Sequence, residues 1–529
     1  MRRRFPPIVA TAFLMFAVAS TAFAQGSARP VYNDKDKQKL AEISKRPEVV
    51  EQIDSAWQNV RRQDMEFAFR VNTAASLGDW RNDPQWLDVW SKYGRLYDNP
   101  ILVNYVNALG QRLVPKDSPN LYAFRLLLDP TPRAEALSTG TIYVTTGLVS
   151  LLDNEAQLAY VLAHEIAHVE RSHMQESIRN EILETELDKE REKSSQRKRA
   201  IFGAAMAVAG GAAGSQLGGA GGAMTGALLG FAGGQVGGAF LFRNKFEPTL
   251  WDAVHENEAD EAGLNAMLGQ QFDVREAPRV YVRVAGLVQK DRRLGLGFIG
   301  DTTRVRERTA FVEGQLGGSL KPKIDAALTK GGLVGSTPEF AVLMAALKRD
   351  NGIVALDYDF LPMAKDNLEE AAKLRSNDPR AHYYLGKLYA QTGRSAEEKQ
   401  LAVTHLQNAI RYDAERGSFP DPHLEYALSL IAQNNPASQP EIRESLKRYV
   451  NLYQRQHRGE VPQNMYIIYD YLLMAGESAW YAAPVSVIAP RDNEPLQVST
   501  GAAQAAAAAA APAAGAPAAR PAARPAGAK

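Results

Sequence analysis

Residues 164–168 of this 529-residue chain read His-Glu-Ile-Ala-His, and they restrict its fold more than any other segment. They lie in an apolar stretch, 155–174, that we predict to be one long helix. On a helix, His164 and His168 project from the same face about one turn apart. Two imidazoles in that arrangement are able to hold one Zn²⁺.

Glu165 lies beside these histidines and is predicted to act on a metal-bound water rather than to bind the metal. As a general base it would take a proton from that water and later deliver it to the leaving amine. The alternative is a helix whose histidines are ordinary core residues with satisfied hydrogen bonds. The spacing of the motif favours the catalytic interpretation.

A catalytic zinc needs a third protein ligand and an open fourth position. His173 is the nearest candidate, but it lies five residues past His168. That spacing places it roughly 140° round the helix, so it faces away if the helix continues. It also fails the metzincin spacing, which requires Gly and His three and six residues after the second histidine.

The better candidate lies in the segment 255–260, which reads His-Glu-Asn-Glu-Ala-Asp. Glu256 and Asp260 share a helical face, whereas Glu258 points roughly 160° away from Glu256. We expect Glu256 to be the third ligand of one Zn²⁺ per chain, with Asp260 accepting the second N–H of a ligand imidazole. His255 as the ligand is the weaker alternative.

The composition excludes several other functions. The chain has no cysteine, which removes disulfides, thiolate zinc sites and a cysteine nucleophile. Its net charge is +1, with both signs interspersed along the sequence. Binding to nucleic acid would require a basic face or stripe, so no nucleic-acid partner is expected.

The first 24 residues have the pattern of an export signal. Three arginines at 2–4 precede an apolar stretch at 8–19 and the small-residue site Ala-Phe-Ala at 22–24. We predict a signal peptide, 1–24, and a mature chain in a bacterial periplasm. An uncleaved membrane anchor is the alternative, although the stretch is short for a bilayer span.

A glycine-rich insertion occupies residues 201–242, which contain no charged residue. Eight of its glycines recur at every fourth position from Gly210 to Gly238. On a helix this spacing forms a stripe that lets two backbones approach closely, as in membrane helix pairs. We predict a membrane-associated hairpin, with a flexible surface loop as the alternative.

Taken together, the motifs resemble the HtpX/BepA-type gluzincin metallopeptidases, the family that includes the CAAX prenyl proteases. The resemblance covers roughly residues 95–313. It rests on Gly-Thr-Ile-Tyr-Val-Thr-Thr-Gly-Leu at 140–148, Asn-Glu-Ala at 154–156, the 164–168 motif followed by Val169 and His173, and Glu-x-Glu-Ala-Asp-x-x-Gly at 256–263.

The resemblance implies a role for each candidate residue. It implies that the zinc ligands are His164, His168 and Glu256. Glu165 would then be the catalytic base, and Asp260 an auxiliary acid or the residue that orients a ligand.

The resemblance also implies that the strand Thr141–Thr145 is the edge on which an extended peptide lies. Two departures bear on this substrate site. The family usually reads Asn-Ala-Phe-Ala-Leu-Pro-Gly-Gly where residues 133–140 read Arg-Ala-Glu-Ala-Leu-Ser-Thr-Gly. Its His-Pro block is absent from 299–303, although the Glu-Arg pair at 307–308 matches the end of that block. A histidine there would stabilise the oxyanion or occupy the resting zinc.

The region 340–457 is predicted to form helix–turn–helix repeats. Leu-Gly-x-x-Tyr at 385–389, with Ala402, Leu406 and Ala409, resembles the tetratricopeptide pattern with about four extra residues in the turn. Such repeats present a surface for a protein partner. An ordinary helical bundle is the alternative.

The predicted fold is α+β and mainly α, with a small sheet in the peptidase domain. The predicted order is the signal peptide, an N-terminal helical region (25–94), the zinc-peptidase domain with its insertion (95–335), the repeats (340–457) and a disordered Ala/Pro-rich tail (499–529).

The predicted function is a zinc metalloendopeptidase that acts on unfolded or misassembled envelope proteins. One alternative is a chaperone or scaffold in outer-membrane protein assembly that keeps the fold but cleaves little. A module that serves mainly to anchor the chain to a membrane through 201–242 is another.

Overall fold

A computed structural model describes residues 32–76, 95–209, 253–294, 302–477 and Trp480. The predicted signal peptide, the predicted disordered tail and residues 210–242 of the glycine-rich insertion lie outside the described residues. Residues 201–209 are the last of a long helix. Among the helices described here, none is both long enough and apolar enough to cross a membrane.

The described part of the chain is mainly helical with one small sheet, which confirms the predicted α+β, mainly α class. The helices of the first half are α1 (Asp34–Ile43), α2 (Pro47–Ser76), α3 (Pro100–Leu113), α4 (Thr146–Leu151), α5 (Glu155–Glu170), α6 (His173–Ala209), α7 (Ala253–Gly269), α8 (Ala277–Lys290), α9 (Thr302–Gly317) and α10 (Lys321–Lys330). The helices of the second half are α11 (Pro338–Asp357), α12 (Leu361–Leu374), α13 (Pro379–Thr392), α14 (Ala396–Asp413), α15 (Asp421–Gln433), α16 (Gln439–Gln456) and α17 (Met465–Met474). The strands are β1 (Arg95–Leu96), β2 (Ala123–Leu128), β3 (Ala134–Ala136) and β4 (Thr141–Thr145).

The sheet has the order β1-β2-β4-β3. Strand β4 is parallel to β2 on one side and antiparallel to β3 on the other. The prediction that Thr141–Thr145 is an edge strand is therefore wrong, because β3 covers it. The short β3 escaped prediction because it has only three residues, directly after the breaker Asp-Pro-Thr-Pro at 129–132. The edge strands are β1 and β3, and β3, which pairs with β4, forms the free edge on this side of the sheet.

Helix α5 lies at the centre of the main core. The Asn154 side chain caps it by accepting the Gln157 N–H at 3.0 Å, and all 14 residues from Glu155 to His168 are buried. A helix that is buried on every side needs apolar neighbours all round. Helices α3, α7, α8 and α11 and one face of the sheet supply them.

The predicted continuation of this helix to about Met174 is wrong. Helix α5 ends at Glu170, and α6 begins at His173. Between them Ser172 has φ 54°, a left-handed conformation that no helical residue adopts. The chain therefore changes direction just before His173.

Helix α2 covers the other face of the sheet, where Phe67 packs edge-on against Tyr143 with ring centroids 5.4 Å apart. Its Asp64 is fully buried and accepts the Ser138 N–H at 2.7 Å, at the end of the free edge. The N-terminal helices thus lie directly beside the sheet edge.

The second half consists of antiparallel helix pairs. In two successive pairs, α11–α12 and α13–α14, a glycine faces a leucine so closely that an added Cβ would lie 2.7 Å (Gly352, Leu368) or 2.5 Å (Gly386, Leu406) from it. This recurring contact fits repeated helix pairs; their identity as tetratricopeptide repeats stays a prediction. The first helix of the series, α11, also packs its Phe340 and Leu347 into the main core.

Candidate metal centre

Helices α5 and α7 carry the predicted site and cross at Gly263. A Cβ at this position would lie 3.2 Å from the backbone N of His164, so a larger residue would push the two helices apart. The glycine that ends the 256–263 motif permits this close approach, which turns Glu256 and Asp260 towards the histidines of α5.

The structure brings His164, His168 and Glu256 together as a buried group able to hold a metal ion. The two Nε2 atoms are 3.0 Å apart, and the Glu256 carboxylate oxygens lie 3.5 Å from His164 Nε2 and 3.9 Å from His168 Nε2. Ligands about 2.1 Å from a tetrahedral zinc are separated by about 3.4 Å, so the three residues fit a zinc ion.

Asp260 lies behind His164 and is fully buried. Its Oδ1 is 2.9 Å from His164 Nδ1, on the side of the ring away from the other ligands. The hydroxyls of Tyr160 and Tyr281 reach the same oxygen at 2.7 and 2.8 Å. Asp260 therefore occupies the position of a carboxylate that orients a ligand imidazole.

Arg308 is the residue of the site to which the sequence assigned no role, although the Glu-Arg pair at 307–308 had matched the end of a family block. Its buried guanidinium donates to Asp260 Oδ1 at 2.7 Å and lies 2.9 Å from Glu256 Oε2. It also lies over the Tyr281 ring, 4.7 Å from the centroid. The approach to Glu256 lacks hydrogen-bond geometry, so Oε2 accepts no hydrogen bond from the described residues.

The buried charges of the centre shift the pKa values of its residues in different directions. Burial alone would raise the pKa of Glu256, but the Arg308 guanidinium and the neighbouring His164 lower it to about 2. Burial and Arg308 act to lower the pKa of His164, yet the carboxylates of Asp260 and Glu256 outweigh them and raise it to about 9. Burial and the neighbouring His164 hold the pKa of His168 well below its usual range.

Glu165 is buried beside the ligand group, and burial raises its pKa to about 7. The backbone N–H of Ala136 on β3 lies near this carboxylate and acts to lower its pKa. Because residues 133, 135 and 137 pair with β4, the N–H of Ala136 points to the free edge. The carboxylate therefore lies where the ligand group meets the edge of the sheet.

His173, Glu258 and His255 lie outside the ligand group. His173 does not face away as a continuous helix would require: its Nδ1 is 3.0 Å from Nδ1 of His168, and its Nε2 is 3.2 Å from Glu258 Oε2. The His255 ring stacks on His173 with centroids 4.5 Å apart. Within the described residues, neither histidine belongs to a group placed to hold a metal.

A cavity of about 140 Å³ opens beside the centre, between α2, β3 and the end of α5. Its lining includes Trp57 and Arg61 of α2, Leu137 after β3, His168 and Met174. Residues from outside the central helices thus border the space next to a candidate ligand.

The segment that carries the first part of this centre is similar to known proteins. Residues 105–188 match the model described as Peptidase family M48. This segment contains His164, Glu165 and His168 and ends before Glu256, Asp260 and Arg308. For those three residues the support is the geometry given above.

The chain is also similar to curated proteins named beta-barrel assembly-enhancing protease. It is 37% identical over 81 residues to that of Escherichia coli (strain K12), which is 15% of this chain and 17% of that protein. It is 38% identical over 81 residues to that of Yersinia pestis, 15% of this chain and 16% of that protein. These matches thus span less than a fifth of the relatives' length. Over that segment the comparisons agree with the resemblance stated from the motifs, since residues 105–188 match Peptidase family M48.

Proposed function

We propose that this chain is an exported, zinc-dependent metalloendopeptidase that hydrolyses peptide bonds in envelope proteins as part of protein quality control. The observation that carries the proposal is the buried group of His164, His168 and Glu256 with the Glu165 carboxylate beside it. When bound, zinc would polarise the scissile carbonyl and lower the pKa of a water molecule.

Each residue around the group has a defined task in this proposal. Glu165 accepts a proton from the attacking water and passes it to the leaving amine. Asp260 holds His164 in one ring orientation through Nδ1, and Arg308 balances the charges of Glu256 and Asp260. These opposite charges lie close together and hold the ligand group in place before substrate arrives.

The substrate would lie along β3 rather than β4. The backbone groups of Ala134 and Ala136 point to the free edge, so an extended peptide is able to add to the sheet there. Its scissile bond would then pass Glu165, which lies near the Ala136 N–H. The Ala136 N–H would bind a substrate carbonyl, and the Glu165 carboxylate would act as base.

The cellular setting also belongs to the proposal. The relatives are named for enhancing β-barrel assembly, and we extend this to unfolded or misassembled outer-membrane proteins as substrates in the periplasm. The helix pairs of the second half would bind a protein partner, and residues 201–242 would contact a membrane.

The test is proteolysis of an unfolded reporter by the full chain and by the Glu165→Gln variant, each with and without a chelator. We expect the wild type to cleave the reporter and the chelator to abolish cleavage. The variant should lose at least ~10²-fold activity while it keeps its zinc, because Glu165 is not a ligand.

The matched control is Glu261→Gln, the same chemical change at an exposed position of α7, which should cleave like the wild type. Retained turnover in zinc-loaded Glu165→Gln would show that Glu165 is not the base. A wild type that binds zinc but cleaves nothing would favour the chaperone or scaffold alternative.

A further inference from the structure

The two histidines of the ligand group differ in what supports them. His164 has a carboxylate, Asp260, directly against its Nδ1 at 2.9 Å. His168 has another imidazole in the corresponding place, with His173 Nδ1 at 3.0 Å from its Nδ1. A carboxylate, Glu258, then follows at 3.2 Å from His173 Nε2.

If a metal is bound, ring chemistry fixes the proton positions along the line of contacts from His168 through His173 to Glu258. A neutral imidazole that ligates through Nε2 carries its proton on Nδ1, so His168 donates from Nδ1. His173 must accept at its own Nδ1, which places its proton on Nε2. That proton is donated to the Glu258 carboxylate. Each hydrogen bond from His168 to His173 and from His173 to Glu258 then has one donor and one acceptor.

We propose that His173 is a positioning residue for the metal ligand His168, with Glu258 as its anchor. The inference rests on the proposed metal at His164, His168 and Glu256. Partners of this kind fix the tautomer and ring orientation of a ligand, and their loss typically lowers metal affinity 10- to 100-fold. Asp260 orients His164 by direct contact with its Nδ1. Glu258 would orient His168 in the same way, but through the His173 ring that lies between them.

The local backbone explains how His173 reaches this position. A continuous helix would carry it to another face, but α5 ends at Glu170 and Ser172 takes φ 54° before α6 begins. A left-handed conformation at a residue other than glycine is uncommon, and it persists where surrounding contacts hold it.

Buried ring contacts hold His173 in this position. Its side chain is fully buried, between the ring of His168 and the ring of His255. His255 in turn lies 3.3 Å from Ser177 Oγ and 3.3 Å from Glu176 Oε2. The outer end of the line is more open, because the Glu258 side chain is 43% exposed and also faces Arg171 at 3.7 Å. We therefore expect His173 to matter more than Glu258.

The experiment compares His173→Asn with His173→Leu in the full chain. Asparagine keeps an acceptor close to the position of Nδ1, whereas leucine fills the space without one. Zinc affinity is measured by competition with a chromogenic chelator, and the visible spectrum of the Co²⁺-loaded protein reports ligand geometry. We expect His173→Leu to bind zinc 10- to 100-fold more weakly with an altered Co²⁺ spectrum. His173→Asn should stay within about threefold of the wild type.

Two further variants separate positioning from packing. His255→Leu removes the stacked ring but leaves the acceptor, so its zinc affinity should stay near that of the wild type. Glu258→Ala, at a part-exposed position that tolerates change, should weaken zinc binding by a few-fold even if His173→Leu fails to fold.

Equal losses in His173→Asn and His173→Leu would overturn the inference, as would an unchanged affinity in both His173→Leu and Glu258→Ala. A wild type that binds no zinc would instead contradict the proposed function together with this inference. Wild-type zinc binding with no effect of these variants would contradict the inference alone.

Discussion

Buried carboxylates are found both in the helix pairs of the second half and in the candidate metal centre, but their partners differ. In the helix pairs, Asp378 accepts the backbone N–H of Arg380 at 2.9 Å, and Asp413 accepts those of Ser418 and Phe419, both at 2.8 Å. In the metal centre, Asp260 contacts Arg308, 48 residues away, and Tyr160, 100 residues away.

The difference separates structural from functional burial of charge. A carboxylate that caps nearby N–H groups stabilises a helix start or a loop, and its neighbours in sequence supply most of its partners. A carboxylate that meets side chains from distant helices must lose its hydration, and apolar residues would often serve the fold equally well. The convergence of six buried charged or imidazole groups on α5, α7 and α9 therefore indicates chemistry rather than stability.

The largest expected effect is on stability, from removing the arginine of the centre. Arg308→Met leaves the buried Glu256 and Asp260 without their counter-charge, so the zinc-free chain should lose about 3–5 kcal/mol of unfolding free energy. Urea unfolding measures this loss, and added zinc should restore part of it.

The matched change in the second half is Arg349→Met. Arg349 pairs with Asp350 at 2.7 Å and Asp378 at 2.8 Å but is 16% exposed, and Asp378 keeps its backbone partners. We expect a loss of about 1 kcal/mol. Equal losses from the two variants would remove the contrast between the regions.

The next effect concerns zinc content. Glu256→Gln should lower zinc affinity at least ~100-fold, since loss of a ligand exceeds the loss of a residue that supports one. Glu258→Gln, two residues away, keeps an acceptor for His173 and should change affinity only slightly. Elemental analysis after dialysis against a zinc buffer compares the two. Similar zinc contents would show that Glu256 is not a ligand.

Truncation tests whether the second half serves binding rather than catalysis. A chain that ends after Asp357 retains α11, which packs into the main core, so it should cleave a short peptide like the full chain. It should cleave a protein substrate several-fold more slowly, because the later helix pairs are gone. A chain that ends after residue 337 also loses α11 and should lose both activities. If the longer truncated chain loses both as well, the helix pairs belong to the catalytic fold.

The smallest effect is a pH dependence. Protonation removes the base, so kcat/KM should fall as pH decreases through the pKa of Glu165. Burial raises that pKa from 4.5 to about 7, and a zinc ion beside it acts in the opposite direction. We expect kcat/KM to fall on the acidic side between pH 4.5 and about 7. A profile that is flat down to pH 4 would contradict the role of Glu165.

Local patterns explain how far the sequence predicts this centre. Spacing of four residues on a helix places His164 with His168 and Glu256 with Asp260. Neither pair needs knowledge of the rest of the fold, whereas the crossing of the two helices at Gly263 is seen only in the structure.

The parts that escaped prediction depend on contacts between distant segments. The three residues of β3 form an edge strand only because they pair with β4. Arg308 reaches the centre only because α9 packs on α7 and α8. The turn at Ser172 has no glycine to signal it. Helical periodicity therefore predicts a continuous helix, and on that helix His173 faces away from His168. Motif recognition pointed to Arg308 by position, without indicating what it contacts.

The most direct test of the central claim is crystallography of the zinc-loaded chain with data on both sides of the zinc absorption edge. We expect one anomalous peak, within about 2.2 Å of His164 Nε2, His168 Nε2 and a Glu256 carboxylate oxygen. A peak ligated by His173 or His255 in place of Glu256, or no peak between α5 and α7, would contradict it.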